Sequence, residues 1–437
     1  MNEYKFVPYR INGVYATAWV TGHVDEATVT QIHSMVNSPA FKGARMVVMP
    51  DAHYGKGCVV GTVIQFDTRI SPSSLGVDLA CGVDVYKVIG RGMGMWTVEE
   101  MNVAIRSAIP GGKNIRNSPL YSFSELDAVT RTARLDAAHR LALPAIGYEE
   151  LAKKVGAPPK RVLYSIGTRG GGDHFIEVGK LTGGDYAFTI HSGSRNLGHR
   201  IATYWQKMAA TARGMEIKAG RTTRIDHAKF LYNNGAISGE DLSGLIAKAK
   251  ADFPAMAKGT EYLDGLQMQE YLRDVYMAQE YAELNRDVMA YEIARVLSVE
   301  IETYVKTTHN TVGNDGIARK GAVMAYVGML VAISMNRIEG TWICKVTRSS
   351  EEHLWTLPHG AGREGSRKWA KSVTTQEEAD AEMVDAGIYS SDNPRDEGIK
   401  SYKNPDKIYE AIKDRIMVVD VITPFLNIKD TARRRRG

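Results

Sequence analysis

A chain of 437 residues with 44% hydrophobic and 24% charged side chains has the balance of a folded globular protein, which excludes disordered and fibrous classes. No apolar run is long enough to span a bilayer, the start Met1-Asn2-Glu3-Tyr4-Lys5 has no leader pattern, and three scattered cysteines argue against a disulfide framework, so a reducing, cytoplasmic setting is expected. The net charge is +5, but Arg433, Arg434, Arg435 and Arg436 supply four of these charges, so the total by itself implies no nucleic-acid-binding field.

Short strands and then a helix over Asp25–Val36 open the chain. Ala44–Pro50 reads as a buried strand that stops at the proline, followed by a polar, glycine-interrupted loop over 51–58. Val59–Phe66 is a second strand. It leads to Leu-Gly-Val-Asp-Leu-Ala-Cys-Gly-Val-Asp at 75–84, where Asp78 and Cys81 stand three residues apart. A hard carboxylate beside a soft thiolate suits a borderline divalent ion such as Zn, Mn, Fe or Co, with the other donors coming from elsewhere.

Residues 97–156 are charged and helical, broken near Pro110-Gly111-Gly112. Gly170-Gly171-Gly172-Asp173-His174-Phe175-Ile176-Glu177 follows, a glycine loop whose N–H groups could face an anion, running into a strand. Another strand, Tyr186–Ile190, ends at His191-Ser192-Gly193-Ser194-Arg195. Helices fill about 200–300, the longest expected from Leu266 to about Val296, as a long antiparallel pair projecting from a β-rich body. Beyond them come Thr307–Thr311, strands around 323–333 and 341–347, and the glycine-rich segment Leu357–Arg367. A helix near 406–415, a strand near 416–422 and Lys429 complete the order. With no fixed repeat and no Pro- or Ser-rich linker, the expected architecture is one α+β domain over 1–437, with a helical insertion at about 200–300 and a basic tail at 431–437.

Of the 11 histidines, His174, His191, His309 and His359 sit at strand ends or in Gly/Asn-containing loops. Any three of them with Asp78 and Cys81 would give two neighbouring ions five ligands, with positions open for phosphate oxygens. His359 lies between Pro358 and Gly360-Ala361-Gly362, an uncrowded imidazole. It suits a nucleophile forming a phosphoramidate bond, or an anion-binding loop at a helix N-terminus. Arg363 and Arg367, four residues apart, would share a helical face and could pair with phosphate.

Together these segments resemble the RtcB-type RNA ligases, GTP- and Mn-dependent enzymes that seal RNA ends. The resemblance rests on Met-Pro-Asp-Ala-His-Tyr-Gly-Lys-Gly (49–57), Gly-Val-Asp-Leu-Ala-Cys-Gly-Val (76–83), Gly-Gly-Asp-His-Phe-Ile-Glu (171–177) and His-Ser-Gly-Ser-Arg (191–195). His-Asn (309–310), Arg-Lys-Gly-Ala (319–322) and His-Gly-Ala-Gly-Arg (359–363) continue it in family order. It implies that Asp78, Cys81, His174, His191 and His309 bind two manganese ions and that His359 takes GMP from GTP. Asp173, Glu177, Asn336, Gly360, Ala361, Gly362, Tyr402 and Lys429 would then contact the nucleotide. The substrate implied is RNA with a 3′-phosphate or 2′,3′-cyclic phosphate end, joined to a 5′-hydroxyl end, with room for an activating helper protein and no membrane. Lys56, Arg195, Arg319, Lys320 and Arg363 are the candidates for RNA phosphate contacts.

Two departures mark a variant subgroup. Asp173 stands where the family usually has Asn, adding a negative charge beside the phosphate that metal or arginine must offset. The stretch 333–340 reads Ile-Ser-Met-Asn-Arg-Ile-Glu-Gly, where many members carry Gly-Ser-Met-Gly. Two other readings use the same ligands: a dinuclear phosphoesterase acting on RNA ends without His359 as nucleophile, and a non-catalytic RNA-end-binding relative.

Overall fold

A computed structural model describes residues 7–430 except 91, 257 and 258; the start Met1–Lys5 and the basic tail 431–437 lie outside the described residues. Two large sheets organise the α+β chain. The first runs Tyr9–Asn12, Thr17–Val20, Arg45–His53, Val60–Gln65, Ile317–Lys320, Asn310–Val312 in spatial order. The second runs Glu300–Thr308, Gly82–Ile89, Tyr186–Ser192, Phe175–Lys180, Ile416–Ile428, Thr341–Val346, Leu330–Ser334.

The apolar run at 45–50 forms a strand as expected, but it continues through Pro50 to His53. The ladder with Val60–Gln65 shifts register between Val48 and His53, so the proline's missing N–H falls where pairing is already interrupted. Lys403 Nζ donates to the carbonyls of Pro50 and Ala52 at 3.0 and 2.6 Å. Asp51 and His53 are therefore held on a strand end and not in a free loop. The strand expected to end near 422 likewise continues to Ile428, with its irregularity at Pro424.

The helical region also differs from the expectation. The longest helix is Arg195–Asn233, 39 residues, and not the 33-residue helix Gly265–Leu297. Gly265–Leu297 does not project; it is the central core helix, burying Tyr271, Val275, Met289, Ile293 and Leu297. Met289, Ile293 and Leu297 pack on Ile176, Phe188 and Ile190 of the second sheet. The long helix instead buries Leu197, Ile201, Trp205 and Ala209 near its start, and beyond them only Ala228. Its distal half forms a hairpin with Gly239–Asp252. Apolar spacing alone did not separate a core helix from a projecting one, because both are amphipathic over part of their length.

Candidate active site

Strand register brings the candidate ligands together. Gly82 pairs with Ser192 on one side and with Thr308 on the other, and Phe175 pairs with His191. Cys81, His191, His309 and His174 thus emerge at the same end of four consecutive strands. The loop before Gly82 is fixed by Asn310, whose carbonyl accepts from Ala80 N at 2.7 Å and whose side chain donates to the Asp78 carbonyl at 3.0 Å. Ala80 sits at φ 58°, a strained position for a non-glycine residue, beside the ligand pair.

The donor atoms form two overlapping groups, Cys81–His191–His309 and Asp78–Cys81–His174, with Cys81 common to both. Cys81 Sγ lies 3.0 Å from His191 Nε2 and 3.3 Å from His174 Nε2. His191 Nε2 is 3.2 Å from His309 Nε2, and His174 Nε2 is 2.8 Å from Asp78 Oδ2. Burial pushes the His191 pKa down to about 3 and that of His309 well below the ordinary value, so both rings are neutral and carry lone pairs. His174 Nδ1 is placed 2.9 Å from the Arg169 carbonyl, a partner for an Nδ1–H that leaves Nε2 facing the cluster. Burial, then Asp78 and Asp173, push the Cys81 thiol well up. A bound cation reverses that preference. Five converging donors of carboxylate, imidazole and thiol type fit borderline divalent ions.

Behind the cluster, Arg286 of the core helix donates to Asp84 Oδ2 at 2.7 Å and to the carbonyls of Ser192 and Ala80 at 3.1 and 3.3 Å. Its neighbour Asn285 donates to Ser192 Oγ and accepts from Gly167 N and Thr168 N. The core helix thereby holds the ligand loops. Neither residue carried a motif signal in the sequence.

His359 follows the short strand Thr356–Pro358, and its ring centroid is 4.8 Å from that of His309. Its Nδ1 is 2.7 Å from Asp51 Oδ2, which also accepts the His359 backbone N–H at 3.2 Å. Burial lowers the His359 pKa, but Asp51 outweighs burial and leaves it raised. Nδ1–H is held by Asp51 and the Gly321 carbonyl adds a partner that favours the protonated ring, so attack through Nε2 requires loss of its proton. The close approach needs Gly362, at φ +72°, where a Cβ would lie 2.0 Å from the Asp51 carbonyl.

A cleft of about 940 Å³ is lined by Asp78, Asp173, His191, His309, His359, Gly360, Ala361, Gly362, Arg363, Tyr402 and Lys429 among others, with Cys81, His174 and Asp51 buried behind them. Burial would raise the Asp173 carboxyl, but His174 and Arg367 oppose burial and hold it below the usual range. This meets the requirement for compensation at the position where the family has Asn. A second cavity of about 30 Å³ is lined by Phe175, Glu177, Asn336, Arg337, Tyr402 and Lys429 and shares several residues with the cleft. Asn336 Oδ1 caps its own turn, accepting from Ile338 N and Glu339 N at 2.9 Å.

Glu397, absent from the sequence reading, is buried behind the cleft-lining Arg367, Tyr402 and Lys429. Its buried carboxylate accepts from Lys429 at 2.6 Å, from Arg367 at 2.5 Å and from the Tyr402 hydroxyl. Burial pushes its pKa up, but Lys429, Arg367 and Arg363 prevail and hold it down to about 2. Glu177, paired with Asn427 at 2.7 Å, has the opposite balance: burial raises it to about 7. Glu397 sits in a short 3-10 turn, Arg395–Glu397, outside the motifs that flagged the other residues.

Among the phosphate-contact candidates, Lys56 is exposed and lines the cleft, and Arg363 lines it with its guanidinium 5.2 Å from the centre of the Tyr402 ring. Arg319 requires correction. It is fully buried, bonded to Asp315, Thr356 and the Leu354 carbonyl, and cannot reach RNA. Lys320 is buried with its ammonium donating to the carbonyls of Lys56, Cys58 and Ser73, which uses all three protons. Arg195 is half-buried and tied to Thr168 Oγ1 and the Gly112 carbonyl. Arg363 and Arg367 do not share a helical face, since the helix begins only at Arg367; they meet through Glu397.

A strand-end cluster whose donors could hold a metal ion thus faces a histidine–aspartate pair. A family model described as tRNA-splicing ligase RtcB matches residues 31–430, and the chain belongs to that family. It is 26% identical over 435 residues to the RNA-splicing ligase RtcB of Escherichia coli K12, covering 94% of this chain and 96% of the relative. It is 25% identical to the tRNA-splicing ligase RtcB of Aeropyrum pernix (84% and 83% covered) and 24% identical to the RNA-splicing ligase RtcB of Mycobacterium tuberculosis (83% and 91% covered). Among the described residues no helix is long and apolar enough to cross a membrane.

Proposed function

We propose that this protein is a GTP-dependent RNA ligase that joins 3′-phosphate or 2′,3′-cyclic phosphate ends to 5′-hydroxyl ends. The observation that carries the reading is the juxtaposition of the five-donor cluster with His359, whose Nδ1 is anchored on Asp51. Asp78, Cys81, His174, His191 and His309 would hold the divalent ions, manganese by family resemblance, which when bound neutralise phosphate oxygens.

In this reading, Asp51 fixes the tautomer that leaves His359 Nε2 unprotonated. Nε2 attacks the α-phosphorus of GTP, and the bond to pyrophosphate breaks. A cyclic end is first opened by water, which breaks the bond from phosphorus to O2′ and leaves a 3′-phosphate; an oxygen of that phosphate then displaces the imidazole and takes GMP, which restores His359. The 5′-hydroxyl attacks the activated 3′-phosphate and GMP leaves. A bare 3′-phosphate lacks a leaving group of this quality, which is why the nucleotide is needed. Glu177, Tyr402 and Lys429 line the wall that would receive the base; Arg363 would meet phosphate.

Intact-mass measurement after incubation with GTP and Mn tests this. One GMP per chain, absent in His359→Ala, supports it. No adduct under varied metal conditions contradicts it, and end-processing by His359→Ala without GTP would favour the phosphoesterase.

A further inference from the structure

The helix Arg195–Asn233 begins at the ligand strands and then runs out of the body. Two of its residues, Gln206 and Ala210, line the cleft. Arg200, Lys207, Lys218 and Lys229 are all exposed, and their spacings of 7, 11 and 11 residues follow whole numbers of turns. At 3.6 residues per turn these four fall within about 40° of one another, with Ala210 about 80° and Gln206 about 120° round the helix from the centre of the stripe. They form a stripe about 43 Å long at 1.5 Å per residue. None of the four takes part in the ion pairs seen among the described residues, whereas Arg213 and Arg224, off the stripe, are paired to Asp264 and Asp252. The acidic residues of this helix, Glu216 and Asp226, lie away from the stripe by the same angular reckoning.

We propose that this stripe is a docking rail for the RNA backbone, along which the strand leading into the cleft is held. The inference rests on the RNA ligase reading for its ligand. It is argued from charge complementarity and from continuity with the cleft: four unpaired cations on one face suit a polyanion, and Lys207 is a helix-surface neighbour, three residues away, of the cleft-lining Ala210. At the roughly 3.4 Å per-strand spacing of a stacked duplex strand the stripe matches about 13 nucleotides, and fewer of an extended single strand. The rail supplies affinity without base specificity.

The test is direct RNA binding by the full chain carrying Arg200→Gln, Lys207→Gln, Lys218→Gln and Lys229→Gln. These positions are exposed and Gln is a good helix former, so the helix should persist, which circular dichroism checks. The probe is a labelled single-stranded RNA of roughly 20 nucleotides with a 3′-phosphate, against one of roughly five that cannot span the rail. Four lost contacts should flatten the slope of log affinity against log salt by about 2.8, equivalent to about 50-fold in the affinity lost between 50 and 200 mM salt. The long RNA should weaken at least tenfold, the short one little, and Lys→Arg at 207, 218 and 229 should retain binding. An unchanged slope and affinity for the long RNA would overturn the rail, including the case in which the stripe serves an acidic protein partner. The two readings fail separately: a GMP adduct without stripe-dependent binding sinks the rail alone, and stripe-dependent binding without an adduct sinks the ligase reading alone.

Discussion

Replacing Asp51 by Asn probes the pair on which the proposed chemistry turns. Asp51 is fully buried, and its Oδ2 accepts both the backbone N–H and the Nδ1–H of His359. A hydrogen bond to a buried charged acceptor contributes about 1.5–3 kcal/mol. An amide can rotate to offer a donor instead, stabilising the tautomer that protonates Nε2. If that energy is lost from the transition state, the rate of GMP transfer to His359 falls about 10- to 150-fold. Time-resolved intact mass under single-turnover conditions measures it. A second readout is an NMR titration of His359 in metal-free protein. Because Asp51 raises the folded pKa above the ordinary 6.5, its ionic contribution to stability is present below about pH 6.5 and lost as pH rises through the folded value. Asp51→Asn should lower the titration midpoint, and its stability deficit should shrink as pH rises. Wild-type adduct kinetics together with an unmoved midpoint would refute the reasoning.

Other consequences follow from the same geometry. Cys81→Ala removes the donor common to both groups and should abolish both retained metal and guanylylation, whereas His359→Ala should keep the metal; elemental analysis after dialysis separates them. Glu177, raised to about 7 from 4.5, binds its proton more tightly in the folded state, so stability falls as pH climbs through that window by about 3 kcal/mol. Glu177→Gln should flatten this decline in metal-free denaturation curves; an unchanged pH profile would contradict it. Arg286→Met leaves Asp84 buried without its partner and should cost about 3–5 kcal/mol, with Arg286→Met/Asp84→Leu recovering most of it. Metal affinity should fall about 10- to 100-fold in both variants, because the Ala80 and Ser192 carbonyls lose their donor.

The candidate donors were visible in one dimension because His174, His191 and His309 stand at strand ends or in Gly/Asn-containing loops and Asp78 and Cys81 in a glycine-flanked loop. His359 was legible for a similar reason, its glycine neighbours leaving it uncrowded. Asp51 was visible as a motif letter but not as a partner, since the strand appeared to stop at Pro50; the register break that accommodates the proline is a tertiary feature. Glu397 and Arg286 were not legible. Their roles come from which charges burial brings together, and a buried carboxylate looks in sequence like a surface one. Arg319 failed in the opposite sense: a basic residue in a motif was read as a substrate contact, while the fold uses it internally on Asp315.

The central claim is that His359 becomes covalently loaded beside the Asp78/Cys81 cluster. The most direct measurement is peptide mapping of the chain after incubation with GTP and Mn. One GMP on the peptide containing His359, dependent on Cys81, is expected. GMP on another residue, or loading undiminished in Cys81→Ala, would contradict it.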